Sequence, residues 1–309
     1  MTSSTPIPLG LVGIGAIARS QHIPTLAAQH DFALAAAASR HAAVEGIETL
    51  PDLAAMLDAR PDLEAVSLAA PPGPRYAMAR EAIRRGRHVM LEKPPGATLA
   101  EVHDLEALAR EAGVTLFATW HSRFAPAVEP ARERLAGAAI RSVEVVWKEN
   151  VRHWHPGQEW IWEPGGYGVF DPGINALSIL THILPRPFRL TEATLQRPAN
   201  RATPIAARCA FRDRDDLPIR MELDWRQTGP QTWDIRVETE GGPLVLSSGG
   251  AVLEAGGERL ETPEAEYAGL YRRFAELIRA GRSEVDLAPM VHVADAFLRG
   301  RWEEVERFD

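Results

Sequence analysis

Gly13-Ile14-Gly15-Ala16-Ile17-Ala18 follows directly on the apolar run Pro8 to Val12, and the turn and helix-period segment running to Gln29 opens there. A glycine turn set between a strand and a helix admits few folds. Gly13 permits the tight turn, Gly15 lets a ligand approach the backbone, and Ala18 is small enough to keep the helix close to its sheet. The helix N-terminus beside them favours negative charge, so a pyrophosphate is the expected occupant.

The segments downstream repeat the same grammar. Phe32 to Ala38, Ala65 to Ala69, His88 to Leu91 and Val114 to Ala118 read as short, continuously apolar strands. Leu50 to Ala59, Pro74 to Arg85 and Thr98 to Ala112 read as helices, with Gly86 and Gly113 as stops and Thr98 to Glu101 as a capping box. Strands that are apolar throughout and alternate with helices predict a doubly wound parallel sheet of the Rossmann type. Near Thr119 the grammar changes. Ser142 to Glu149, Leu190 to Gln196, Ala206 to Phe211, Ile219 to Arg226, Trp233 to Thr239 and Pro243 to Ser247 read as strands, and Glu240-Gly241-Gly242 as a hairpin. With helices expected over Ile174 to Leu184, Glu266 to Arg279 and Leu287 to Arg299, this is an α+β domain with a mostly antiparallel sheet. The expected organisation is a dinucleotide-binding domain over 1–120 and a substrate-binding domain over 121–309.

Composition closes off other classes. A net charge of −8 lacks the basic face that nucleic acid needs. No apolar run is long enough to span a bilayer. The stretch from Met1 to Gly10 lacks the basic and apolar regions of a secretory signal. The single cysteine, Cys209, permits no internal disulfide, so a cytoplasmic setting is expected. A large antiparallel sheet would suit self-association into a homo-oligomer.

An NAD site carries an acidic residue about 20 residues beyond the glycine turn, at the end of the second strand. Ser39 and Arg40 stand there. A hydroxyl and a guanidinium suit a 2′-phosphate, which a carboxylate would repel. NADP is therefore the expected cofactor, with NAD tolerated. Further along, Glu92-Lys93-Pro94 ends the strand His88 to Leu91, where open α/β sheets place ligands. Pro94 favours an extended Lys93, whose ammonium can polarise a hydroxyl or carbonyl.

GIGAIA, SLAAPPGPRY at Ser67 to Tyr76 and LEKPPGATL at Leu91 to Leu99 together resemble the glucose–fructose oxidoreductase/inositol dehydrogenase (Gfo/Idh/MocA) family. The segments WHSRFAPAVEPAR, WKENVRHWHPGQEWIWEPGG and FDPGINALSI resemble its bacterial aldose 1-dehydrogenases, which oxidise L-arabinose or D-galactose at C1. The resemblance implies cofactor contacts at Gly13, Gly15, Ala16, Ile17, Ser39, Arg40, Pro71, Pro72, Arg75, Glu92 and Lys93, with Arg123 and Trp162 near the cofactor. The family's catalytic helix carries Asp and, four residues on, His. Here these places hold Asp171 and Asn175. Asp171 also reads as a helix N-cap with Pro172 at the first helical position. An amide is no general base, so Asp171 is expected to take the proton while Asn175 and Lys93 hold and polarise the hydroxyl.

Five of the eight tryptophans lie between Trp120 and Trp162, with His121, His153 and His155 among them. Flat aromatic faces and fixed polar groups suit a sugar. The resemblance implies His121, Glu149, His155 and Trp233 as hydroxyl-binding groups. The histidines and Glu149 are also of zinc-ligand type. No helical pair of histidines four apart is present, and hydride transfer beside a lysine requires no metal, so none is expected. Two other readings remain open at this point: a non-catalytic NADP-binding protein, and an oxidoreductase acting on another sugar or polyol at a secondary alcohol.

Overall fold

The computed structural model describes residues 5–263 and 265–309. Residues 1–4, which open the stretch read above for a secretory signal, and Glu264 lie outside the described residues. The chain divides into two compact units, 1–121 with 267–286 and 122–266 with 287–309. The division differs from two consecutive blocks: residue 121 closes the first segment, and a later segment returns to join it.

The first unit is built on a six-stranded sheet with the order β3-β2-β1-β4-β5-β6. Its strands are β1 (Ile7–Val12), β2 (Phe32–Ala38), β3 (Thr49–Leu50), β4 (Ala65–Leu68), β5 (His88–Leu91) and β6 (Leu116–Ala118), and every pairing is parallel. Leu9, Leu11, Val66, Leu68, Val89 and Leu91 are fully buried, which is why these strands read as unbroken apolar runs. The strand order reverses where β1 pairs with both β2 and β4, so the loops after Val12 and after Leu68 flank the switch point.

Between the strands lie α1 (Ile23–Ala28), α2 (Leu53–Ala59), α3 (Pro72–Arg84) and α4 (Leu99–Ala112). The expected capping box closes α4: Thr98 Oγ1 accepts from Glu101 N, and Glu101 Oε2 accepts from Thr98 N. Two boundaries differ from expectation. Asp52 caps α2 by accepting from Ala55 N, and the preceding Thr49–Leu50 pair instead with Ala37–Ala38 as β3. The helix after the glycine turn contains a π-turn over Ala18–His22 before α1. His22, at the end of that turn, has no exposed surface.

The second unit carries a nine-stranded mixed sheet among the described residues, in the order β14-β13-β12-β11-β7-β10-β9-β8-β15. Its strands are β7 (Ile140–Lys148), β8 (Phe188–Pro198), β9 (Ala206–Asp213), β10 (Pro218–Asp224), β11 (Thr232–Thr239), β12 (Gly242–Ser247), β13 (Val252–Ala255), β14 (Glu258–Glu261) and β15 (Arg301–Val305). The β7–β10 and β8–β15 pairs are parallel and the rest antiparallel. Thr239 opposite Gly242 makes the expected hairpin. In β10, Ile219, Met221 and Leu223 are buried while Arg220 is exposed, the half-buried alternation of a one-faced sheet. Among the described residues this unit also carries the α-helices α5 (Val128–Leu135), α6 (Val151–Trp154), α7 (Phe170–Ile183) and α9 (Ala288–Arg299).

The returning segment contains most of α8 (Glu266–Arg279). Tyr267, Leu270, Tyr271, Phe274 and Ala275 form its buried stripe at helical spacing. Phe274 stacks on Phe32 at 5.4 Å and on Phe117 at 6.2 Å, so this helix completes the core of the first unit. Among the described residues no helix is long and apolar enough to cross a membrane.

Candidate active site

In the first unit, Gly13 adopts φ +92°, and a Cβ there would lie 2.7 Å from Ala70 N. Only glycine lets the two loops at the switch point touch. A Cβ on Gly15 would meet nothing within 4 Å, so its backbone is open to a ligand. Ala16 and Ile17 are exposed beside it, and Ala18 is buried against the sheet. At the end of β2, Ser39 is half-buried, held by its backbone N–H on Leu50 O, and Arg40 is exposed. Pro71 caps α3 and Pro72 is its first residue. This cradle of open backbone, a helix start and a terminal hydroxyl and guanidinium fits a dinucleotide.

Arg75, which the resemblance implies as a cofactor contact, binds the chain itself. It is buried, and its guanidinium donates to the carbonyls of Ala70, Glu92 and Pro94. It thereby ties the loop after β4 to the Glu-Lys-Pro turn after β5. Glu92 is buried as well. Its Oε2 accepts from Lys93 N at 2.5 Å and its Oε1 from the Tyr267 hydroxyl at 2.6 Å, with His22 Nε2 at 3.3 Å. On the far side of that ring, His22 Nδ1 lies 2.7 Å from the Tyr271 hydroxyl. Burial alone would raise the Glu92 carboxyl. The hydrogen bond and charge of His22, the charge of His121 and the Tyr267 hydroxyl outweigh it and hold the group well below the usual carboxylate range. Burial raises the Tyr271 phenol, so it stays a neutral donor. His121 stacks on Tyr267 at 5.5 Å. Lys93 is half-buried on the chain that Glu92 fixes.

The second unit gathers its groups around α7. The helix begins at Phe170, not at Pro172, so Asp171 lies inside the first turn and is not the N-cap. The cause is a tertiary contact: Gly168, at φ +54°, packs so tightly on Pro204 that a Cβ would sit 2.4 Å from its carbonyl oxygen. The chain turns there, Val169 N donates to Pro204 O, and helical geometry starts two residues before Pro172. Pro172 still costs no hydrogen bond, because the first N–H groups of a helix have no internal partner. Asp171 is buried in that turn, where the helix dipole favours a carboxylate. Asn175, four residues on, is half-buried on the same helix.

Glu149 follows β7 and is buried. Its Oε2 accepts from Trp233 Nε1 at 2.9 Å. Its Oε1 accepts from Trp225 Nε1 at 3.3 Å and meets His155 Nε2 at 3.2 Å. The other nitrogen of that ring, Nδ1, stands 3.8 Å from Asp171 Oδ2. Trp233 stacks on Trp147 at 5.9 Å and meets Trp154 at 5.0 Å, which makes an aromatic wall beside the carboxylates. Glu149, His155, Asp171 and Trp233 are thus brought together. Arg123 is instead packed on α7, donating to Ser178 O and Thr181 Oγ1. Trp162 is buried edge-on to Trp225, with Arg201 over its face. Among the described residues no group of His, Cys, Asp and Glu converges as a metal-ligand set.

Sequence reasoning missed His22, Tyr267, Tyr271 and Trp225. The tyrosines carried a usable signal: two polar-tipped aromatics four apart on the buried stripe of a helix call for buried partners. His22 carried none, because only the π-turn directs it inward.

Comparison with known proteins agrees with this geometry. Residues 7–119 match the GFO_IDH_MocA family profile, described as an oxidoreductase family with an NAD-binding Rossmann fold. Galactose 1-dehydrogenase of Pseudomonas fluorescens is 41% identical, over 98% of this chain and 99% of its own. The crystal structure of D-galactose-1-dehydrogenase from Rhizobium etli matches with a TM-score of 0.96 and 58% identity, covering 100% of both chains. A 3-ketoreductase from Actinomadura kijaniata solved with NADP shares the fold, with a TM-score of 0.83 at 19% identity over 97% of this chain and 99% of that one. The glycine cradle, the Glu-Lys-Pro turn and full-length relatedness lead to one assignment: the chain belongs to the Gfo/Idh/MocA family of oxidoreductases.

Proposed function

We propose that the protein is an NAD(P)-dependent aldose 1-dehydrogenase that oxidises a cyclic sugar such as D-galactose or L-arabinose at C1 to its lactone. The observation that carries this reading is the buried Asp171 carboxylate in the first turn of α7, linked through His155 to Glu149 and the indole of Trp233. A carboxylate there can take a hydroxyl proton, and the indole faces suit the C–H surface of a sugar ring. The full-length kinship to two galactose 1-dehydrogenases supports the choice of substrate.

In this reading Asp171 accepts the C1 hydroxyl proton while Asn175 and Lys93 hold and polarise that oxygen. Glu149, Trp233, His155 and His121 serve the remaining hydroxyls. Gly13, Gly15, Ala16, Ile17, Pro71 and Pro72 hold the dinucleotide, and Ser39 and Arg40 take a 2′-phosphate, so NADP is preferred and NAD accepted. Arg75 and Glu92 act from behind, fixing the turn that carries Lys93. Arg123 and Trp162 serve near the cofactor. A bound nicotinamide supplies the acceptor for the C1 hydride. D-Galactose and L-arabinose share their ring hydroxyl configuration, so one set of donors and acceptors suits both.

The test is a steady-state screen of pentoses and hexoses with NADP and with NAD, followed by product analysis. Lactone formation from D-galactose or L-arabinose is expected. A ketone product, or cofactor binding with no turnover across the panel, overturns the reading.

A further inference from the structure

We propose that His155 is a proton relay, taking from Asp171 the proton that Asp171 removes from the sugar and passing it to water. The inference rests on the functional reading above and gives His155 a role in the reaction itself rather than in holding a hydroxyl.

The hydrogen-bond inventory of Glu149 fixes the ring. Trp225 Nε1 and Trp233 Nε1 are indole N–H groups that only donate, so both oxygens of Glu149 act as acceptors. His155 Nε2 lies 3.2 Å from Oε1 of the same carboxylate and must donate to it. In neutral imidazole the other nitrogen then carries the lone pair. That nitrogen, Nδ1, is buried without a hydrogen-bond partner and stands 3.8 Å from Asp171 Oδ2. At this distance no proton is shared, and the lone pair faces the atom that is to be protonated. Closing by about 1 Å, as catalytic hydrogen bonds do on binding substrate, makes the transfer direct. Asn175, on the same helix as Asp171, cannot take the proton, since an amide nitrogen is no base.

The step balances. The sugar O–H proton passes to Asp171, the C1 hydride leaves to the nicotinamide, and the C1–O bond becomes a carbonyl. The proton then moves from Asp171 Oδ2 to His155 Nδ1, giving an imidazolium held at Nε2 by Glu149. Nδ1 itself is enclosed, but the ring is the most exposed of the three side chains, 14% accessible against 3% for Glu149 and 5% for Asp171, so a turn of the imidazolium toward its exposed side carries the proton to water. Glu149 positions the ring, as the orienting carboxylate of a triad does.

Three measurements decide the proposal. His155→Gln keeps a side chain that can hydrogen-bond to Glu149 and to a hydroxyl but cannot carry a proton. With D-galactose and NADP its kcat should fall about 100-fold, with the sugar KM within about threefold of the parent. In His155→Ala, added imidazole should raise kcat in a saturable manner. A kcat for His155→Gln close to the parent value, or a loss confined to KM, overturns the relay. Independently of turnover, the 15N spectrum of histidine-labelled protein, with the His155 signals assigned by their loss in His155→Gln, should show the proton on Nε2 and a bare Nδ1. A proton resident on Nδ1 overturns the relay even if no sugar is oxidised, whereas an inactive parent protein with Nε2 protonated overturns only the functional reading.

Discussion

Glu92 and Glu149 are both buried carboxylates that accept hydrogen bonds and stand beside a histidine, and they end differently. Around Glu92 the donors are Tyr267 and the Lys93 backbone, with His22 Nε2 at 3.3 Å, and the far nitrogen of His22 is tied to Tyr271. Every atom of that chain leads further into the core. Around Glu149 the donors are Trp225, Trp233 and His155, and the far nitrogen of His155 faces Asp171 from a ring that water can reach. A buried carboxylate beside a histidine therefore makes a brace in one unit and a conduit in the other. What decides between them is the partner of the second imidazole nitrogen.

The comparison makes ranked demands. Asp171→Asn removes the acceptor at the end of the conduit and should lower kcat by about 10²- to 10⁴-fold, with NADP affinity, read by fluorescence titration, unchanged. On the brace side, His22→Leu leaves a buried charge short of a partner and should cost about 3–5 kcal/mol in the urea unfolding free energy. If His22→Leu left the unfolding midpoint in place and abolished turnover, the two clusters would not differ in kind. Tyr267→Phe deletes one donor to the same carboxylate and should cost about 1–3 kcal/mol by the same assay.

Acid should separate the two clusters further. The folded protein holds the Glu92 carboxyl below its ordinary 4.5, so as the pH falls the unfolded chain binds that proton first. The stabilisation is complete above the ordinary value and is lost as the pH drops through the folded one. Between about pH 6 and about pH 3 the parent should lose more unfolding free energy than Glu92→Gln does. The smallest effect concerns the cofactor. Ser39→Asp should weaken NADP about tenfold more than NAD, since it sets a like charge beside the 2′-phosphate. Equal weakening would return Arg40 to the status of a loop residue.

The Rossmann half was legible because its signals are local. A strand buried on both faces must be apolar throughout, and a turn that touches its neighbour at Ala70 must be glycine, so β1, β2 and β5 and the Gly13 turn could be read directly. The functional side chains of the second unit were legible as residue types in a resembling segment, but not their connections. Nothing in the order of Glu149, His155 and Asp171 says that one ring bridges the two carboxylates; that depends on where the chain runs after β7. The N-cap reading of Asp171 failed for a similar reason. The start of α7 is set by Gly168 against Pro204, a contact 36 residues away in sequence that no local pattern encodes. The amphipathic stripe of α8 announced that the helix packs, but not that it packs on the first unit.

That return of the chain has a consequence for portability. The backbone passes from one unit to the other at 121/122, 266/267 and 286/287, so the dinucleotide-binding half is not a contiguous stretch of the gene. A fragment cut after residue 121 would lack the tyrosines that partner Glu92 and His22, and would bare the faces of Phe32 and Phe117. Chimaeras between relatives that trade cofactor preference must carry 267–286 along with the first 121 residues, and a recombination point placed after β6 alone would exchange half a core.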